Sequence, residues 1–360
     1  MSAISWPKGG VVSEQGHVVV TGANGWLGRA LVARLAAPTD GRADVRVVAV
    51  ARDHLEGRAL TEFASTFPSA NIDIRFADFG QPGEFDQLFS GLVGPIEVVH
   101  TAGVIHPRHF SEFERVNADG TRKLAAAARR AGVVRFVHVS SNSPFGVNAI
   151  TTDRFRQIEP YHPYLEYGRT KMLGELAILD EVERGLYALI VRPPWFYGPF
   201  QPARQTTFFS MVKSGRFPVF GAGDQHRSMV FVENLVDGIL ATRNWTGPAG
   251  HGWWVADREP YTVAEIVRTV GRALADEGHD VQPPRLNLPD FVGNVAERAD
   301  RILQKSRRYV QQVHVLGEMN KTIACDISAT TRDLGYEPRV DLYEGMRRSI
   351  RWCAANGIEL

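Results

Sequence analysis

The chain has 360 residues, 44% hydrophobic and 22% charged, which excludes disordered and fibrous classes and, at roughly 150 residues per domain, points to about two globular domains. Forty-one basic residues against 40 acidic ones leave a formal charge of +1. That balance gives no electrostatic reason to expect nucleic acid or an anionic membrane as the main partner.

In the first half, short β-branched runs alternate with amphipathic stretches. Strands are predicted at 17–21, 45–51, 72–76, 96–101 and 135–140, and helices at 26–37, 58–66, 84–90 and 112–131. A long helix over 164–184 and a strand over 186–192 follow. The alternation predicts an α/β fold with a doubly wound parallel sheet, a Rossmann domain over 1–192. Residues 193–360 read mainly as a smaller substrate-binding region, with later segments returning to the sheet. Helices are predicted there at 233–243, 262–276, 294–313 and 341–354, two of them begun by capping-box spacings, Thr262 with Glu265 and Asp341 with Glu344. The cysteines, Cys325 and Cys353, have no metal-type spacing, so neither a disulfide framework nor a metal site is expected. The N-terminus lacks the apolar core of a signal peptide, and the longest uncharged stretch, 136–152, is rich in Ser and Asn. A cytoplasmic protein without a membrane span is the expectation.

Directly after the first strand stands Thr21-Gly22-Ala23-Asn24-Gly25-Trp26-Leu27-Gly28. Gly22 suits a tight turn, Gly25 a close backbone approach to a pyrophosphate, and Gly28 close helix–sheet packing. The helix start beyond the loop offers N–H groups and a positive dipole end to the same anion. The strand–loop–helix context makes Gly22, Asn24, Gly25, Trp26, Leu27 and Gly28 candidates for binding a dinucleotide.

Tyr167 and Lys171 are four apart on the predicted long helix, hence on one face. With nine tyrosines and six lysines in the chain, such a pair is rare by chance. Free tyrosine is too weak a base at neutrality, and a nearby ammonium favours the phenolate. Proton transfer to or from a carbinol oxygen is therefore the chemistry this pair suits. Ser141, 26 residues ahead of Tyr167 at the end of the fifth strand, can donate to the same oxygen. Ser140 and Ser143 compete for that role.

From Val18 to Trp352 the sequence resembles the extended short-chain dehydrogenases/reductases, the NAD-dependent epimerase/dehydratase type. The G-x-x-G-x-x-G loop, Val98-Val99-His100-Thr101-Ala102-Gly103, Val116-Asn117-Ala118-Asp119-Gly120-Thr121 and Asp78-Phe79 are similar to successive motifs of that family. The resemblance implies an NAD(P) cofactor contacted by Asp78, Phe79, Thr101, Ala102, Asn117, Tyr167 and Lys171. It implies Ser141, Tyr167 and Lys171 as the catalytic set. Arg52, at the end of the second strand, falls where NADP-preferring reductases place arginine, which inclines the reading toward NADP; Asp53 follows one residue late for an NAD clamp. The segment 192–199, R-P-P-W-F-Y-G-P, is similar to the family's segment under the nicotinamide, with Pro193 and Pro194 as a wall and Trp195 or Phe196 facing substrate. Gly221–Asn234 looks like the stretch where nucleotide-sugar enzymes clamp a diphosphate, which assigns Arg227 to that place. One departure stands out. Val315-Leu316-Gly317-Glu318 lacks the further arginine of the related sugar epimerases, a role left to Arg204 or to nothing. Family members often dimerise through helices corresponding to 120–131 and 167–182, so a homodimer is one expectation.

The leading expectation is redox chemistry on a nucleotide-activated sugar, carbon-4 epimerisation through a transient ketone. The alternatives are an NADP-dependent carbonyl reductase or hydroxysteroid dehydrogenase with a lipophilic substrate, and a catalytically silent dinucleotide-binding protein. The last has no need of an intact Ser141–Tyr167–Lys171 set.

Overall fold

The computed structural model describes residues 16–37, 45–81 and 85–360. Strands β1 (His17–Thr21), β2 (Arg46–Ala51) and β3 (Ile72–Phe76) alternate with helices α1 (Trp26–Ala36) and α2 (His54–Ser65). After β4 (Ile96–His100) comes α3 (Glu112–Glu114), which runs through a π-helical turn, Arg115–Gly120, into α4 (Thr121–Arg130). Strand β5 (Arg135–Val139), the 19-residue α5 (Leu165–Glu183) and β6 (Ala188–Arg192) complete the first half. β1 and β2 are nearly continuous apolar runs because helices cover the parallel sheet on both faces.

Beyond the sixth strand the chain forms β7 (Trp195–Tyr197), α6 (Ala203–Lys213), β8 (Val219–Phe220), β9 (His226–Arg227), β10 (Met229–Phe231), α7 (Val232–Ala241) and β11 (Gly252–Trp254). Then come β12 (Tyr261–Thr262), α8 (Val263–Asp276), β13 (Asn287–Leu288), α9 (Asp290–Lys305), α10 (Gln311–Met319), α11 (Ser328–Leu334) and α12 (Leu342–Ala355). β11 returns to pair with β6, giving a seven-stranded sheet in the order β11-β6-β5-β4-β1-β2-β3. β1 sits between β2 and β4, so the direction of winding reverses there. The crevice at the C-terminal ends of β1 and β4 is where such sheets bind ligands. A separate core of Phe209, Phe231, Val270, Met346 and Ile350 holds α6, α8 and α12 together beyond the sheet.

Three predicted elements change. The stretch predicted as a helix over 84–90 is a 3₁₀ turn, Asp86–Phe89, its first residue lying outside the described ones. α2 begins at His54 because the Asp53 carboxylate accepts the Glu56 N–H and caps it. The single helix predicted over 294–313 is two helices, broken after Lys305 where Arg307 adopts φ 57°. Thr262 and Asp341 do cap α8 and α12, Thr262 as a full capping box with Glu265. Among the described residues no helix is long and apolar enough to cross a membrane.

Candidate active site

The glycine loop is shaped by close approach. Gly22 (φ 65°) lies where a Cβ would come within 2.8 Å of the Ala102 N, and a Cβ on Gly28 would come within 2.1 Å of the Gly22 carbonyl oxygen. The missing side chain at Gly22 lets the ends of β1 and β4 touch, and the one at Gly28 lets α1 press against the glycine turn. Gly25 is exposed, donates its N–H to the Gly22 carbonyl at 2.9 Å, and heads α1 without a side-chain cap. An uncapped helix start beside a glycine turn suits a dinucleotide pyrophosphate. Asn24 is tied through Oδ1 to Arg29 at 2.8 Å, and the Leu27 side chain packs into the core. Trp26 bridges to the other half of the molecule: its Nε1 donates to the Pro199 carbonyl at 2.7 Å and its ring lies 4.5 Å from that of Phe196.

At the end of β4 the chain is pinned by hydroxyls. Thr101 Oγ1 donates to the Thr21 carbonyl at 2.6 Å, and the Ala102 N–H donates to Thr21 Oγ1 at 3.3 Å. His100 spans Thr21 Oγ1 (2.7 Å) and Thr121 Oγ1 (3.0 Å). Asn117, inside the π turn, latches Val104 reciprocally: its Oδ1 accepts the Val104 N–H at 2.8 Å and its Nδ2 donates to the Val104 carbonyl at 2.9 Å. The same amide reaches Thr170 Oγ1 on α5 at 3.3 Å. Asn117 therefore joins the cofactor crevice to the helix that carries Tyr167 and Lys171.

Gly168 is a positioning residue that sequence reasoning passed over. A Cβ there would lie 2.3 Å from the Ser143 carbonyl oxygen, so glycine lets α5 press against the segment holding Ser141. Leu165, two residues before Tyr167, sits at φ 53°, a strained conformation of the kind stored at functional sites. Ser141 is buried, with its Oγ 3.3 Å from Ser143 Oγ and accepting the Ser143 N–H at 3.3 Å. Tyr167 is half-buried, its ring 6.3 Å from that of Phe113. Lys171 is buried and donates from Nζ to the Val139 carbonyl, the last residue of β5, at 2.9 Å. Burial pushes its amine down to about 8, with Glu175 one turn along α5 acting in the opposite sense.

Two histidines under Lys171 are held neutral. Burial, and then the Lys171 charge, push His100 down to about 3, and the same causes push His138 well below its ordinary value. Their rings stack at 5.4 Å. Beyond Lys171, Glu175 accepts from Arg192 at 2.8 and 3.2 Å and from the Tyr161 hydroxyl at 2.8 Å. Arg192 also lies 4.5 Å over the Phe145 ring.

Several expected site residues have partners within the protein. The Phe79 side chain is buried against Phe85 and His100 at 4.8 and 5.5 Å, so only its backbone borders the crevice. Asp78 accepts the Gly80 N–H at 2.8 Å and closes its own turn. Arg52 is exposed and paired with Asp53 and Glu56. Pro193 and Pro194 are buried after β6. Phe196 stacks on Trp26, whereas the Trp195 indole donates to Gln205 at 3.3 Å on the rim. The Arg204 side chain lies outside the described residues.

Arg227 is 12% exposed on β9, and its guanidinium is already engaged. Nη2 donates to the Glu318 carbonyl and Nη1 faces the Glu318 carboxylate at 3.5 Å. Glu318 belongs to the stretch that lacks the family's arginine. The α9–α10 hairpin brings it there and also packs against the start of α5. Tyr309 shares a 2.7 Å hydrogen bond with His106, and His314 one of 2.7 Å with Asp300. Gln304 accepts the Glu166 N–H at 3.0 Å, beside Tyr167. None of these hairpin residues has a sequence signal, because the hairpin begins at Asp290, more than 100 residues beyond the end of α5 at Glu183.

A family model, the NAD dependent epimerase/dehydratase family, matches residues 18–256. The chain belongs to this family. It is an NAD(P)-dependent enzyme of the extended short-chain dehydrogenase/reductase type, as the resemblance implied. The y4nL protein of Sinorhizobium fredii, itself uncharacterized, is 44% identical over 94% of this chain and 96% of its own length. A dTDP-glucose 4,6-dehydratase of Streptomyces griseus is 29% identical over 93% of each chain. Among solved structures, the UDP-glucuronic acid 4-epimerase of Bacillus cereus, crystallised with NAD, superimposes with a TM-score of 0.71 at 18% identity, covering 94% of this chain and 99% of that one. At that identity the likeness is one of fold. Members of the family hold NAD(P) in the crevice described above, and the bound cofactor supplies or accepts the hydride. Here the glycine loop, the uncapped α1 start and the Thr21–Thr101 rim fit such a group.

Proposed function

We propose that the protein oxidises and re-reduces a carbinol carbon of a nucleotide-activated sugar, in the simplest form a carbon-4 epimerisation through a transient ketone. Ser141 holds the reacting oxygen, and Tyr167, its phenolate favoured by Lys171, takes the proton and returns it. The observation that carries the sugar-nucleotide reading is Arg227. It is a buried guanidinium on the substrate side, with a donor fork suited to phosphate oxygens and far in sequence from the glycine loop. The names of the dehydratase and epimerase relatives support it.

Titrating UDP or dTDP into cofactor-loaded protein tests this reading. Micromolar to sub-millimolar binding is expected, weakened about 10- to 100-fold by Arg227→Ala, the scale of one charge-assisted contact. No detectable binding at millimolar nucleotide would end the sugar-nucleotide assignment. One observation favours a second reading, NADP-dependent reduction of a lipophilic ketone: Glu318 already neutralises Arg227, and a substrate diphosphate would have to displace its carboxylate.

For the cofactor we propose a preference for NADP, read by Arg52. Arg52→Ala should weaken NADP binding by about 1.5–3 kcal/mol and leave NAD binding nearly unchanged. Equal losses for the two cofactors in parallel titrations would show that Arg52 does not read the 2′-phosphate.

A further inference from the structure

Helix α9 turns a line of large apolar side chains to solvent. Phe291, Val295 and Ile302 are 65, 57 and 67% exposed. Steps of four and seven residues keep these positions within one narrow sector of the helix surface. The opposite sector buries Gly293, Ala296, Asp300 and Gln304. Single exposed hydrophobics are ordinary on any protein surface, but a row of them is a binding feature. Val310 and Val315 carry the exposed apolar character into the second arm of the hairpin.

The charges along the C-terminal half of this row are basic, while at its N-terminal half Asp290 is exposed beside Phe291 and Glu297 is paired with Arg301 and Lys321. Arg298 and Lys305 flank the stripe on the same helix, and Arg307 and Arg308 form the turn that follows. Within 298–308 the single acid is Asp300, which is buried and bound to His314 and Gln304. The near-zero charge of the whole chain hides this local excess.

We propose that the α9–α10 hairpin is a docking element for an anionic phospholipid surface. Phe291, Val295 and Ile302 would enter the interfacial layer, and the lipid phosphates would neutralise the basic flank. A solvent-facing apolar stripe bordered by Lys and Arg, in a helix that cannot span a bilayer, is the pattern of an interfacial helix. The charge decides the occupant. A second copy laid stripe to stripe would bring two basic flanks together, whereas an anionic bilayer complements both features. Because Gln304 of the same hairpin accepts the Glu166 N–H beside Tyr167, docking sets the mouth of the active site at the membrane surface. The inference holds for either substrate reading.

Cofactor-loaded protein should co-sediment with vesicles of phosphatidylglycerol and phosphatidylcholine, and far less with phosphatidylcholine alone. Raising the salt concentration should release it. The double variants Phe291→Ser/Ile302→Ser and Arg298→Glu/Lys305→Glu should each weaken partitioning at least about tenfold, with cofactor affinity unchanged as the check on folding. Three results would overturn the proposal: no partitioning onto anionic vesicles, equal partitioning onto neutral ones, or no effect of either variant. A dimer in light scattering that Phe291→Ser/Ile302→Ser dissolves would also overturn it and make the stripe an interface between copies.

Discussion

Tyr167→Phe should lower turnover by about 10²-fold or more, the usual cost of losing a positioned general acid/base, while folding and cofactor affinity stay nearly intact. The phenol ring remains to pack near Phe113, and only the hydroxyl is lost. The proton-handling role carries a pH signature. Lys171 is pushed down to about 8 by burial, against the opposing pull of Glu175. Below that pH it is an ammonium and favours the Tyr167 phenolate; above it the charge is gone and the phenol reverts toward its ordinary, weaker acidity. The rate of the wild-type enzyme should therefore fall as pH rises through about 8. Near wild-type turnover in the phenylalanine variant would remove Tyr167 from the chemistry, and a wild-type rate still climbing toward pH 10 would remove the Lys171 assistance.

The second large effect is expected one turn along α5. Glu175 is fully buried and accepts from both Arg192 and Tyr161. Glu175→Ala would leave the Arg192 guanidinium buried without its counter-charge, at a cost of about 3–5 kcal/mol. Chemical denaturation reads this directly. The double variant Glu175→Leu/Arg192→Met should recover much of the loss, since an apolar pair of similar volume removes both desolvation penalties. A loss below 1 kcal/mol in the single variant would mean that water reaches Arg192. Glu175 also raises the Lys171 pKa, so the alkaline fall in rate should move to lower pH in any Glu175 variant that still folds.

What could be read from the sequence was local. The glycine loop is legible because three glycines between a strand and a helix answer one steric problem over seven residues. Tyr167 and Lys171 are legible because a helix converts a spacing of four into a shared face. Asp53 shows where local reading stops. It stands near a cofactor-selecting position, and its carboxylate caps α2 instead, a choice that depends on where the helix begins. Phe79 shows the same limit, since nothing in an acidic–apolar pair tells which way the ring turns. The α9–α10 hairpin was the least legible part. The break between α9 and α10 falls at Ser306–Val310, which holds neither proline nor glycine, so periodicity runs through it unmarked. Glu318, in the stretch read as missing an arginine, meets Arg227 only because the hairpin folds back across β9.

The π turn at Arg115–Gly120 also sets the angular phase of everything after it. A π turn holds one residue more than an α turn, and each residue of an α-helix advances the chain by about 100°. With the extra residue in place, Asn117 faces Val104 and Thr170 while Thr121 meets His100, and Leu124, Ala125, Ala127 and Ala128 lie against the sheet. Deleting one residue from the turn would restore regular α geometry and improve the local hydrogen bonding. It would also rotate α4 by more than a quarter of a revolution, swinging its apolar face toward water and Thr121 away from His100. The irregular turn works as a phase adjuster: a local departure from the ideal helix keeps the flanking segments in step, one with the cofactor crevice and the other with the core.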